Sequence, residues 1–153
     1  KENRDIPPLD YPRVYRLKQR LPNRFIGING GIPTLAEARD HLVHVDGAML
    51  GRAAYHTPGL LAEADHLIHG EAAVEPDWNA IIAAMAEHAA AHIAAGGRLI
   101  HITRHMTGLF SGLAGARRWR QILSTDAARP GAGPEVLFRA LEAVQLPQAS
   151  KAA

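Results

Sequence analysis

Two short apolar runs, Phe25 to Ile28 and Val45 to Leu50, each close on a glycine-bearing turn, and a capped segment stands between them. The first run leads into Asn29, Gly30 and Gly31, the second into Gly51 and Arg52. Thr34 with Glu37 three residues later makes a capping box, and Leu35, Ala38 and Leu42 give the helix that follows an apolar stripe. Strand, helix and strand within residues 25–50 is the compact βαβ spacing of a parallel sheet. Upstream, Tyr11, Val14 and Leu17 recur at helical spacing, which predicts a short amphipathic helix over Tyr11 to Arg20, stopped by Pro22 and Asn23. The first part of the chain is therefore α/β.

The pattern changes near Gly70. The stretch EAAVEPD is acidic and turn-like, with Pro76 and Asp77 set to start a helix, and no strand signal follows Trp78. An Ala-rich helix is expected over residues 78–95, with Ile81, Ile82, Met85, Ala89 and Ile93 on one side and Gly96 and Gly97 as the stop. Further helices are expected over Leu99 to Phe110, Ala116 to Leu123 and Pro134 to Leu146, the last with proline in its first turn. Short connections between them favour an antiparallel helical bundle. The division expected is an α/β part over residues 1–70, a helical domain over 71–146 and a disordered tail over 147–153.

A length of 153 residues suits one domain or two small ones. It is too short for a complete (β/α)8 barrel, which needs about 250 residues. The absence of cysteine excludes disulfides, thiolate metal ligands and cysteine-based catalysis within these residues. No apolar run approaches the roughly 20 residues that span a bilayer and no charged-then-apolar leader opens the sequence, so neither membrane insertion nor secretion is expected. The sequence opens at Lys1, without methionine and in a polar, proline-bearing stretch, which reads as a piece of a longer chain.

A net charge of +2 hides strong segregation. Residues 1–24 carry +4, residues 25–97 carry −7 and residues 98–129 carry +5. Fourteen of the seventeen cations are arginine, whose planar fork suits phosphate. Two readings follow: clustered arginine meeting nucleic acid, or solvated helix faces.

The pair of glycine turns carries the most specific chemistry. In a parallel sheet, both turns leave the carboxyl ends of neighbouring strands and so lie side by side. Glycines let backbone N–H groups approach an anion, helices beginning there add positive dipole ends, and Arg52 can close the site with a charge-assisted pair. Asn29, Gly30, Gly31, Gly51 and Arg52 form a phosphate pocket on this reading; on the other, each cluster is only a turn. His88 and His92, like His101 and His105, stand at i, i+4, but neither pair contains the HExxH glutamate or an obvious third ligand, so no metal is expected. Asp46 is open between a polar core contact and an edge residue.

Three separated blocks carry a family resemblance: KENRDIPPLDYPRVYRLKQRLP, then GINGGIPTLAEARDHLVHVDGAMLGRAAYHTPGLLAEAD, then HITRHMTGLFSGLAGARRWRQIL. Over about residues 1–146 the chain resembles the carboxyl-terminal half of tRNA-dihydrouridine synthases of the A type. The resemblance implies the last βα units of an FMN-bearing (β/α)8 TIM barrel followed by an all-α helical domain. It implies a cytoplasmic oxidoreductase in which NADPH-reduced flavin saturates the C5–C6 bond of uridines 20 and 20a in the tRNA D-loop. Flavin delivers hydride to C6 and a cysteine protonates C5. By the same resemblance Asn29, Gly30 and Gly31 bind the cofactor, Gly51 and Arg52 grip the FMN phosphate, and Lys1, Arg4, Arg117 and Arg120 contact tRNA. Arg117 and Arg120, three apart, would share one helix face, with Trp119 turned into the core.

The proton-donating cysteine is missing from this stretch, so no catalytic residue is expected in it and it should be inactive alone. A sheet of two or three strands would leave open edges, so the isolated segment is expected to be poorly soluble or to need its missing half. The alternatives are a stand-alone RNA-binding module, and an FMN-dependent barrel oxidoreductase with another substrate.

Overall fold

The computed structural model describes residues 8–146, so Lys1, Arg4 and the tail over 147–153 lie outside the described residues. The chain is mixed α/β with few strands and divides into two compact units. One comprises the chain up to Ala54 together with Glu63–Ala73, the other Tyr55–Ala62 together with the chain from Val74.

In the first unit, helix α1 (Tyr11–Arg20) starts where Asp10 accepts the Arg13 N–H on its side chain and a proline occupies the first turn. Strand β1 (Gly27–Asn29) follows, then α2 (Leu35–Leu42), whose Thr34 hydroxyl accepts the Glu37 N–H at 3.1 Å as the capping box requires. Strand β2 (Gly47–Met49) pairs with β1 in parallel, Gly27 opposite Gly47 and Asn29 opposite Met49. Ile28, Ile32, Ala38 and Val45 make the core, with Tyr11, Val14 and Tyr15 of α1 packed on it. Phe25 and Met49 remain 77% and 58% exposed, so the pair has an apolar surface that nothing in its own unit covers. The strands begin later than the apolar runs. The Ile26 N–H goes to the Asp46 carboxylate at 2.8 Å, a side-chain rung that precedes the ladder. After β2 come α3 (Arg52–His56), a 3-10 turn (Pro58–Glu63) and α4 (Ala64–His69).

From Val74 the described elements are helical: α5 (Trp78–Ala94) capped by Asp77, α6 (Ile100–Thr103), α7 (Ala116–Thr125) and α8 (Glu135–Leu141). Trp119, Phe110, Ile82, Leu99, Leu123 and Leu137 centre their core, with Phe110 edge-on to both Trp78 and Trp119. Two expectations are corrected. The helix expected over Leu99 to Phe110 ends at Thr103 and continues as i→i+3 turns, including the Leu109 N–H to the Met106 carbonyl. The same carbonyl accepts the buried Trp119 indole N–H at 3.0 Å, and the Thr103 hydroxyl donates to the Leu123 carbonyl at 3.1 Å. These long-range bonds fix a path that a regular helix would not follow. The last helix stops at Leu141, short of Leu146, where the chain turns so that the Gln145 N–H reaches the Ala114 carbonyl at 2.9 Å.

Candidate anion-binding edge and nucleic-acid face

Parallel, in-register pairing of β1 and β2 sends the chain out of both strands at the same end. The Asn29–Gly31 turn leaves β1 there, and Gly51 and Arg52 follow β2 at the matching position. Gly30 and Gly31 have φ of 121° and 66°, torsions that other residues rarely adopt. A Cβ on either would stand 2.8 Å from the Leu9 side chain, so the turn also lies close under the segment that leads into α1. Tyr11 donates its hydroxyl to the Gly30 carbonyl at 2.7 Å. Gly51, by contrast, has nothing within 4 Å of where its Cβ would be, which leaves its backbone open to approach. Asn29 and Arg52 are both exposed. Both glycine turns, the second followed by Arg52, thus stand at one end of the strand pair, and exposed backbone N–H groups with a guanidinium are donors of the kind anions meet. The dipole part of the expectation is weaker than the sequence suggested, because α3 has only five residues and aligns few peptides.

Asp46, left open by the sequence, is a clamp at the opposite end of the pair. Its carboxylate accepts the Ile26 N–H and meets the Lys18 ammonium at 2.8 Å, while Lys18 also donates to the Pro22 and Arg24 carbonyls. The Lys18 hydrogen bond, then the Ile26 N–H, hold the Asp46 carboxyl below the usual aspartate range against a smaller opposing effect of desolvation.

In the second unit, α7 is amphipathic. Ala116, Trp119, Ile122 and Leu123 are buried, whereas Arg117, Arg118 and Arg120 are exposed. Arg117 and Arg120 share one face with Gln121 and Ser124 by helical spacing. Arg118 donates to the Gln121 side chain at 3.0 Å. The helix opens at Gly115, whose φ of 90° turns the chain into it. The histidines do not converge. His92 and His101 face each other at 3.3 Å, while His105 bonds Tyr55 at 2.8 Å and accepts from Arg104. Among the described residues no group of three or more metal-ligating side chains is found, and no helix is long and apolar enough to cross a membrane.

The part played by Tyr11 had no signal in the sequence, where it counted only as one apolar position of a helix. A hydroxyl reaching a carbonyl nineteen residues away leaves no mark in periodicity.

A family model described as dihydrouridine synthase (Dus) matches residues 1–145. The chain belongs to the dihydrouridine synthase family. Curated relatives agree with the resemblance carried by the three blocks. A tRNA-dihydrouridine(20/20a) synthase of Shewanella oneidensis is 52% identical over 145 residues, covering 95% of this chain and 43% of the relative. Proteins of the same name from Escherichia coli (strain K12) and Vibrio parahaemolyticus are 51% and 50% identical, over 94% and 92% of this chain and 42% and 43% of theirs. The chain thus spans less than half the length of these relatives.

Proposed function

We infer that this chain is the FMN-phosphate side and tRNA-reading part of a longer enzyme, one that reduces uridines 20 and 20a of the tRNA D-loop to 5,6-dihydrouridine with NADPH as reductant. The strand pair would belong to the last βα units of a (β/α)8 barrel, and the helices beyond it to an all-α tRNA-binding domain. The observation that carries the reading is the register of β1 on β2, because it brings both glycine turns to one edge. Loops at the carboxyl ends of barrel strands are where such enzymes hold phosphate. The uncovered Phe25 and Met49 fit a sheet that continues beyond two strands.

The residues present suit a flavin monophosphate. Gly30, Gly31 and Gly51 offer backbone approach, Asn29 an amide and Arg52 a permanent cation. When bound, FMN supplies hydride-transfer chemistry; these five residues hold and orient its anionic end. The acid that protonates the pyrimidine comes from outside these residues, which contain no cysteine. Arg117 and Arg120 would hold the tRNA backbone, with Lys1 and Arg4 as further contacts. Phosphate contacts of this kind set register and orientation, and folded RNA is read largely by shape.

In the full-length enzyme, Arg52→Ala should weaken FMN retention roughly tenfold or more, the scale of a lost charged hydrogen bond. Affinity for tRNA should stay nearly constant. Flavin occupancy, read from absorbance after gel filtration, tests this; equal occupancy in wild type and variant refutes the phosphate role.

A further inference from the structure

We propose that Tyr11 is a positioning residue for the phosphate end of the flavin, acting through the Gly30–Gly31 peptide. This rests on the reading that the Asn29–Gly31 turn holds the FMN phosphate. Two adjacent glycines leave the peptide between them free to rotate, so its orientation has to be imposed from outside. The Tyr11 hydroxyl does this by donating to the Gly30 carbonyl at 2.7 Å. Because the peptide unit is planar and trans, its carbonyl and its N–H point in opposite directions. Holding the Gly30 carbonyl toward α1 therefore directs the Gly31 N–H away from α1, and Gly31 is exposed.

Tyr11 is itself held. Its ring packs edge-on against His41 of α2, centroids 4.5 Å apart, and His41 is buried with its Nδ1 bonded to the Tyr15 hydroxyl at 2.6 Å. Tyr15 in turn stacks on His44 at 4.3 Å. The hydroxyl thus stands on a packed aromatic group shared between α1, which supplies Tyr15, and the C-terminal end of α2, which supplies His41 with His44 just beyond it. Leu9 closes the same side against Gly30 and Gly31, so the turn has little room to relax toward α1.

The substitution Tyr11→Phe keeps the ring and removes only the donor. In the full-length enzyme stripped of flavin, the dissociation constants of FMN and of riboflavin are measured side by side by fluorescence quenching, for wild type, Tyr11→Phe and Arg52→Ala. The expected result is a rise of roughly three- to tenfold in the FMN constant of Tyr11→Phe, with the riboflavin constant unchanged. A general loosening of the fold would weaken both ligands together, and that outcome overturns the proposal, as does an unchanged FMN constant. If Arg52→Ala narrows the preference for FMN over riboflavin and Tyr11→Phe does not, the positioning role alone fails. If wild type shows no preference for FMN over riboflavin, the phosphate reading fails and this role with it.

Discussion

Replacing Gly115 by alanine should damage the arginine-bearing unit far more than the same replacement at Gly112, although both glycines have a φ of 90°. An alanine in that region costs about 1–2 kcal/mol from its own backbone. At Gly112 nothing lies within 4 Å of the added Cβ, so that cost is the whole effect. At Gly115 the Cβ would collide with the Ala143 carbonyl oxygen and stand 2.8 Å from the Val144 Cα. Both are backbone atoms, and Val144 is buried in the helical core, so neither can swing aside as a flexible side chain would. Forcing them apart costs about 1–3 kcal/mol as overpacking. It also stretches the Gln145 N–H bond to the Ala114 carbonyl, worth about 1 kcal/mol. The totals are about 3–6 kcal/mol for Gly115→Ala against about 1–2 kcal/mol for Gly112→Ala. Native-state hydrogen exchange of the α7 amides in the full-length enzyme reads the difference locally. Because α7 starts at Ala116, Gly115→Ala should also lower tRNA affinity while Gly112→Ala leaves it intact. Equal protection of α7 in the two variants would refute the steric argument.

Joint replacement of Arg117 and Arg120 by alanine should weaken tRNA binding and flatten its salt dependence by about one to two units of slope, since fewer counterions are released; an unchanged slope removes these residues from the interface. Asp46 predicts an acid-sensitive fold. Its carboxyl is held below the usual range, so the stability it contributes is complete above the unfolded value near 3.9 and disappears as pH falls through the lower folded value. Asp46→Asn should therefore be less stable at neutral pH and lose less between pH 5 and 3, as followed by urea midpoints; parallel pH profiles would contradict the clamp.

Where structure is set by neighbours in sequence, the sequence was readable. Helix α1 has the expected bounds because Asp10 caps it and Pro22 follows it, and α2 begins at its Thr34 and Glu37 pair. The βαβ spacing was enough to expect two glycine turns at one edge, and the parallel register brings them there. Where distant groups decide, the pattern misled. Leu99 to Phe110 looks helical, but Trp119 and Leu123 claim hydrogen bonds with Met106 and Thr103 that redirect it. The same limit hid the Tyr11 hydroxyl and left Asp46 undecided, since each partner is about twenty residues away. The segment Pro58 to His69 holds a 3-10 turn and a short helix. The tRNA contacts expected at Lys1 and Arg4 lie outside the described residues.

The way the chain is shared between the two units constrains how it can be dissected. Tyr55–Ala62 groups with the helical unit, yet Glu63–Ala73 returns to the strand-bearing one. No single cut separates them. A truncation that begins at residue 74 discards Tyr55 and with it the hydroxyl that meets His105; one that ends at residue 54 strips the strand pair of α4 and of Ile68, which packs on its core. Either half, expressed by itself, would start with a hole in its own framework, so the behaviour of an excised piece says little about the intact chain.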